Sequence, residues 1–156
     1  MHKLIAVPCF ALSLASASAA MAASRVVDIN QTVATVNLGT VASGGEVLAR
    51  GSSVAGKTVV NVIRLRPGET GLRVNASWVV GEVEAKFRLV GVNIDLLDAG
   101  GTVIASDTFQ GLLAGTALST LVADGLIPGT LYQLKLTGTA VGRGSYSMAI
   151  RPLPPV

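Results

Sequence analysis

Carboxylates are the strongest chemical groups in this sequence, which holds nine Asp and Glu residues against a single His and a single Cys. Asp95, Asp98 and Asp107 stand in or beside glycine-rich turns. From neighbouring loops they could offer hard oxygen ligands to calcium, helped by backbone carbonyls at Gly100 and Gly101. Their spacing is not that of an EF-hand loop, which needs acids at alternating positions and a closing Glu. Glu82, Glu84 and Asp124 complete the set from which a carboxylate-only hydrolase would be built, and a glycosidase needs two carboxyls held across a sugar. Glu84 stands beside Lys86 on a face expected to meet water, so surface charge and turn capping are the plainer reading of all these acids. The expectation is calcium at Asp95, Asp98 and Asp107 as the one candidate metal, no other cofactor, no catalytic residue, and therefore no enzyme.

That expectation depends on the first residues of the chain. His2 and Lys3 give a short basic start, Leu4 to Leu14 is an apolar run, and a small-residue stretch ends in Ala20-Met21-Ala22. These are the three zones of an export signal with an A-x-A cleavage pattern, and the apolar run is too short to span a bilayer. Cleavage after Ala22 would remove both His2 and Cys9. It would also remove Lys3 and lower the formal charge from +3 to +2. Without them no Ser-His-Asp triad, Cys-His pair, His-containing zinc site or disulfide can be built. The expected location is the periplasm or the exterior, with no stable membrane span.

Three further signals have competing readings. Gly51 to Thr58 reads GSSVAGKT, which has the glycines and Lys-Thr close of a phosphate loop but no strand-loop-helix setting. Trp78 could be a sugar-stacking platform, although it shares the phase of Val74 and Val80 and so reads as core. Arg64, Arg66, Arg73, Lys86 and Arg88 could form a basic face for an anionic polysaccharide, against the simpler account of a solvated sheet. No run of Lys and Arg interleaved with aromatics is present, so nucleic acid is not an expected partner.

The elements that must position these groups are strands. Half of the residues are apolar, only 13% are charged, and Val, Leu, Gly and Thr recur in short alternating runs with no helical period. Leu72 to Leu89 reads as a hairpin turning at Gly81-Glu82, which would set Trp78 opposite Ala85 and Ala76 opposite Phe87. A second hairpin is expected over Val92 to Ser106. A third pairs Tyr132 to Leu136 with Tyr146 to Ile150. Val33 to Leu38, Glu46 to Leu48 and Thr58 to Leu65 are expected strands, Pro128-Gly129 a turn, and Leu112 to Ala123 a strand or short helix. The fold class that follows is all-β: one antiparallel, jelly-roll-like β-sandwich over residues 23–151 after a cleaved signal peptide at 1–22, with a Pro-rich extended tail at 152–156.

Phe87-Arg88-Leu89, then Ile94 to Gly101, then Leu126 to Leu136, then Gly144 to Ile150 occur in an order that resembles the bacterial pre-peptidase C-terminal domain. The stretch from Pro128 to Val156 is also similar to the FxDxF-type proteins of exosortase-equipped bacteria. Together these cover under half of the chain. At Asp107-Thr108-Phe109 the leading Phe of the second pattern falls on Ala105, and Pro-Leu-Pro-Pro-Val carries no Glu, apolar run or basic end of a sorting tail. Both resemblances imply a non-catalytic extracellular module. Its expected partner is a cell-surface or matrix polysaccharide or another cell-envelope protein. The alternatives are a structural protein assembling through sheet edges and the carboxylate-only hydrolase.

Overall fold

A computed structural model describes residues 24–54, 56–80, 89–110, 116–140 and 143–154. The export segment and the return strand expected at 83–89 fall largely outside the described residues. The elements run β1 (Ser24–Ile29), β2 (Val33–Val41), β3 (Glu46–Ser53), β4 (Thr58–Pro67), β5 (Gly71–Val80), β6 (Leu89–Leu97), β7 (Val103–Thr108), β8 (Thr116–Ala123), β9 (Tyr132–Ala140) and β10 (Gly144–Leu153). No helix occurs among the described residues, and the ambiguous stretch after Leu112 resolves as strand from Thr116.

Alternation dictates the layers. Along β4, Val59, Asn61, Ile63 and Leu65 turn inward while Val60, Val62 and Arg64 turn out, and β8 and β9 repeat the pattern. Each strand thus has one apolar face, and two such sheets bury those faces against each other. One sheet has the order β1-β3-β10-β5-β8 and the other β2-β4-β9-β6-β7. Strands β3 to β10 alone make two four-stranded sheets in the eight-strand, double Greek-key arrangement of a jelly roll.

The remaining strands depart from the all-antiparallel expectation. β1 lies parallel to β3 and β2 parallel to β4. The segment Ser24 to Val41 therefore edges both sheets as one bent arm, crossing between them at residues 30–32. Asn61, buried on the inward phase of β4, holds that crossing by donating from Nδ2 to the carbonyls of Gln31 and Thr32 at 3.2 and 3.3 Å.

Only one of the three expected hairpins is a hairpin. β6 pairs β7 across the turn at Asp98 to Thr102. β9 and β10, by contrast, lie in different sheets, and Tyr132 and Tyr146 approach the core from opposite sides. Both edges of β5 are also occupied, by β10 and by β8, so Trp78 is in register with Tyr146 and Ala117 and not with Ala85. Except for β6–β7, every consecutive pair of strands changes sheet. Alternation shows which face is inward, and that face is shared by both sheets.

The Pro-rich end is a second correction. β10 continues through Pro152, in register with Leu72, to Leu153. Its other neighbour, β3, has stopped pairing at Ile150, and a strand with one open edge accommodates proline.

The core centres on Trp78, fully buried, with Phe109 edge-on at 6.2 Å and Tyr146 tilted at 5.3 Å between ring centroids. Its indole N–H donates to the buried Ser53 hydroxyl at 3.1 Å. Gly138 makes room for it: a Cβ there would stand 3.1 Å from the indole and 2.8 Å from Val92 Cγ2.

Candidate functional site

The outward faces carry the polar chemistry, and register decides which residues meet. On the β2-β4-β9 face, Asn37, Arg64 and Gln133 form one row across three neighbouring strands. Lys135, one outward position along β9, is in register with Val62 on one side and Asp95 on the other. Five residues of this face, Asn37, Gly39, Arg64, Arg66 and Leu131, with Leu65 beneath, line a cavity of about 260 Å³.

The cavity lies beside a bulge. Asn37 pairs with Arg64 and Gly39 with Leu65, so Leu38 is an extra residue in β2. The bulge turns Leu38 and Val41 both inward, where strict alternation would have buried Thr40. It requires a residue at φ +71°, which Gly39 supplies. The carbonyl of Leu38 accepts from Arg25 Nη2 at 2.6 Å.

The two arginines are held differently. Arg66 Nη1 donates to the Gly129 carbonyl at 3.0 Å. That carbonyl belongs to the turn Ile127 to Thr130, in which Pro128 fixes the first central position and Gly129 takes φ +80°. Gly129 N–H in turn donates to Pro67 at 2.9 Å, so the turn and the end of β4 are locked together. Arg64 is half-buried, and its Nε has no hydrogen-bond partner. Leaving a buried donor unpaired costs about 1–3 kcal/mol, more when it is charged.

No protein-family model and no curated protein matches the chain. Among solved structures it is similar to the pre-peptidase C-terminal domain of a collagenase from Bacillus anthracis, at TM-score 0.42 and 14% identity over 82% of this chain and 94% of that one. It is also similar to the Yersinia pseudotuberculosis-derived mitogen, at TM-score 0.38 and 13% identity over 72% and 89%. A third is PliG of Aeromonas hydrophila, a periplasmic lysozyme inhibitor of g-type lysozyme, at TM-score 0.35 and 12% identity over 82% and 97%. The first is the domain type that Phe87 to Ile150 resembles; the likeness to the exosortase-associated group remains one of sequence.

The three candidate calcium ligands do not share a centre. Asp95 is in register with Ser106 on the outer face, where its Oδ1 accepts from Asn93 Nδ2 at 2.7 Å and from Ser106 Oγ at 2.6 Å. Asp107, next along β7, turns to the opposite face. There it reaches across to β8, accepting from the Ser119 hydroxyl and from Thr120 N–H at 3.0 Å. Asp98 caps its own turn, accepting from Gly100 and Thr102 N–H at 2.9 Å each. Among the described residues no group of three or more His, Cys, Asp or Glu side chains is placed to hold a metal ion.

Other candidates separate in the same way. Asp98 and Asp124 line one cavity of about 460 Å³ with Ile104, Ile127 and Tyr132. One is committed to a turn and the other is exposed, without the contrast of environments that divides acid from base in a hydrolase. Trp78 is in the core and offers no platform to a sugar. The GSSVAGKT stretch joins β3 to β4, strand to strand, and lacks the helix N-terminus on which a phosphate loop depends. Of the expected basic face, Arg64 and Arg66 stay together, Arg73 projects from the other sheet in register with Arg151, and Lys86 and Arg88 lie outside the described residues. Sequence reasoning missed Asn37 and Gln133, because only the register places them beside Arg64.

Proposed function

We propose that the protein is an exported, non-catalytic accessory module that binds polysaccharide of the cell surface or matrix through the outer face of the β2-β4-β9 sheet. The row Asn37, Arg64, Gln133, with Arg66 and Lys135 beside it, carries this reading. Amide and guanidinium groups offer planar, directional donors and acceptors of the kind sugar hydroxyls and ring substituents require. Adjacent strands space them across the sheet, where an extended ligand could meet them in turn. Export rests on the Met1 to Ala22 pattern, and no helix among the described residues is long and apolar enough to cross a membrane.

A glycan array probed with the exported protein at low and raised salt tests it. Retention of salt-sensitive ligands by the native protein, and their loss in Gln133→Ala, are expected; an array blank at every salt concentration removes the reading. A second reading, self-association through sheet edges, is favoured by the exposed Val26 and Val33 on β1 and β2, strands paired on one side only. A strictly monomeric protein in concentrated sedimentation runs would exclude it.

A further inference from the structure

We infer that the cavity between the β2 bulge and Arg64 is a subsite for the carboxylate of an acidic sugar residue, a uronate, in such a polysaccharide. This rests on the saccharide reading above and specifies the ligand class for the same face.

The argument starts from the guanidinium of Arg64. A guanidinium presents its Nε–H and one Nη–H side by side, a fork that matches the two oxygens of a carboxylate. In Arg64 the Nε half of that fork is buried and unpaired. Its strand neighbours do not satisfy it, and the same side chain lines the cavity beside the bulge at Leu38 and Gly39. Arg66 adds a second guanidinium at the rim, held in place by the Gly129 carbonyl, and Asn37 adds an amide able to donate to an oxyanion or accept from a hydroxyl. Two cations and an amide in one small cavity are complementary to a single anionic group.

Size and charge density choose among anions. At about 260 Å³ the cavity falls below the usual range of cofactor pockets, roughly 300–1,000 Å³, and suits one charged substituent with part of its ring. A densely sulfated or phosphorylated polymer would need a wide basic field. Among the described residues the outer face adds Lys135 to the two arginines, with Asp95 in register beside it. One negative charge per sugar, separated by neutral hydroxyls, fits that spacing.

The test compares oligogalacturonate with its methyl ester, which has the same backbone without the charge, and with heparin as the sulfated arm, by calorimetry on the exported protein. The acid is expected to bind, with an affinity at least about tenfold above the ester. Arg64→Lys, which keeps the charge but loses the fork, should lose most of that difference, while Arg73→Gln on the opposite sheet should not. The Arg64 Nε–H resonance of the native protein should shift on titration, a readout that needs no variant to fold. Equal binding of acid and ester overturns the carboxylate subsite and leaves the saccharide reading standing. A preference for heparin through the same residues reassigns the anion to a sulfate and overturns the uronate. An unmoved Arg64 resonance overturns the subsite, and failure of every glycan to bind overturns both.

Discussion

Tyr146 lies over Gly51, its partner on β3, and donates its hydroxyl to Asn61 on the opposite sheet, so three strands depend on one phenol. A methyl group at Gly51 would collide with the tyrosine ring. Gly51→Ala should therefore destabilise by about 2–4 kcal/mol, the scale of core overpacking with loss of a buried contact, read as a lower urea midpoint. Burial also pushes the Tyr146 phenol from 10.0 up to about 12. The folded state thus holds that proton more tightly than the unfolded chain. Its contribution is complete below about pH 10 and falls away as pH rises through about 12. Urea midpoints measured from pH 8 upward should decline across that window. Tyr146→Phe should flatten the decline while lowering stability at pH 8, because Asn61 loses its donor. An unchanged slope in the variant would assign the effect elsewhere.

The seam between β7 and β8 shows how an element's edge is managed. Gln110 pairs with Leu118 through two backbone bonds of 2.8 Å, and Asp107 takes the next outward N–H, that of Thr120. A carboxylate thus covers an edge that would otherwise invite another strand. Asp107→Ala should cost about 1–3 kcal/mol in denaturation experiments and increase self-association in sedimentation runs at high concentration. An Asp107→Ala protein as stable and monomeric as native would contradict this role. Much of the element pattern was legible from alternation: Val92, Ile94 and Leu96 marked the inward side of β6, and Trp78 fell on a core phase with Val74 and Val80. The partners were not. Tyr146 and Asn61 meet from 85 residues apart, and an inward-facing strand looks the same in either sheet. The Arg64 cavity was hidden for a related reason, since Leu38-Gly39 reads as ordinary strand until its pairing with β4 exposes the extra residue.

At the scale of the molecule, almost every strand crosses to the other sheet, so nearly all pairing is non-local and folding should be slow, in the range of milliseconds to seconds for such topologies. Stopped-flow refolding followed by Trp78 fluorescence measures this; microsecond recovery would imply local pairing the structure does not contain. The arm Ser24 to Val41 buries only Ile29, Leu38 and Val41 fully, and its parallel ladders are slightly weaker per residue than antiparallel ones. A chain beginning after Val41 retains all eight jelly-roll strands and should still fold, with a lower midpoint and a tendency to oligomerise through the bared edges of β3 and β4. The same arm sets the mechanics of the domain. Ser24 is in register with Glu46, and Arg151 near the end of β10 is ion-paired to that same Glu46, so the first and last strands leave from one pole. A load applied between the two ends would therefore peel β1 from β3 one hydrogen bond at a time, beginning at Ser24, rather than shear a whole ladder. A module stretched through its ends would yield at low force, shedding the arm first while the double sheet behind it stays intact.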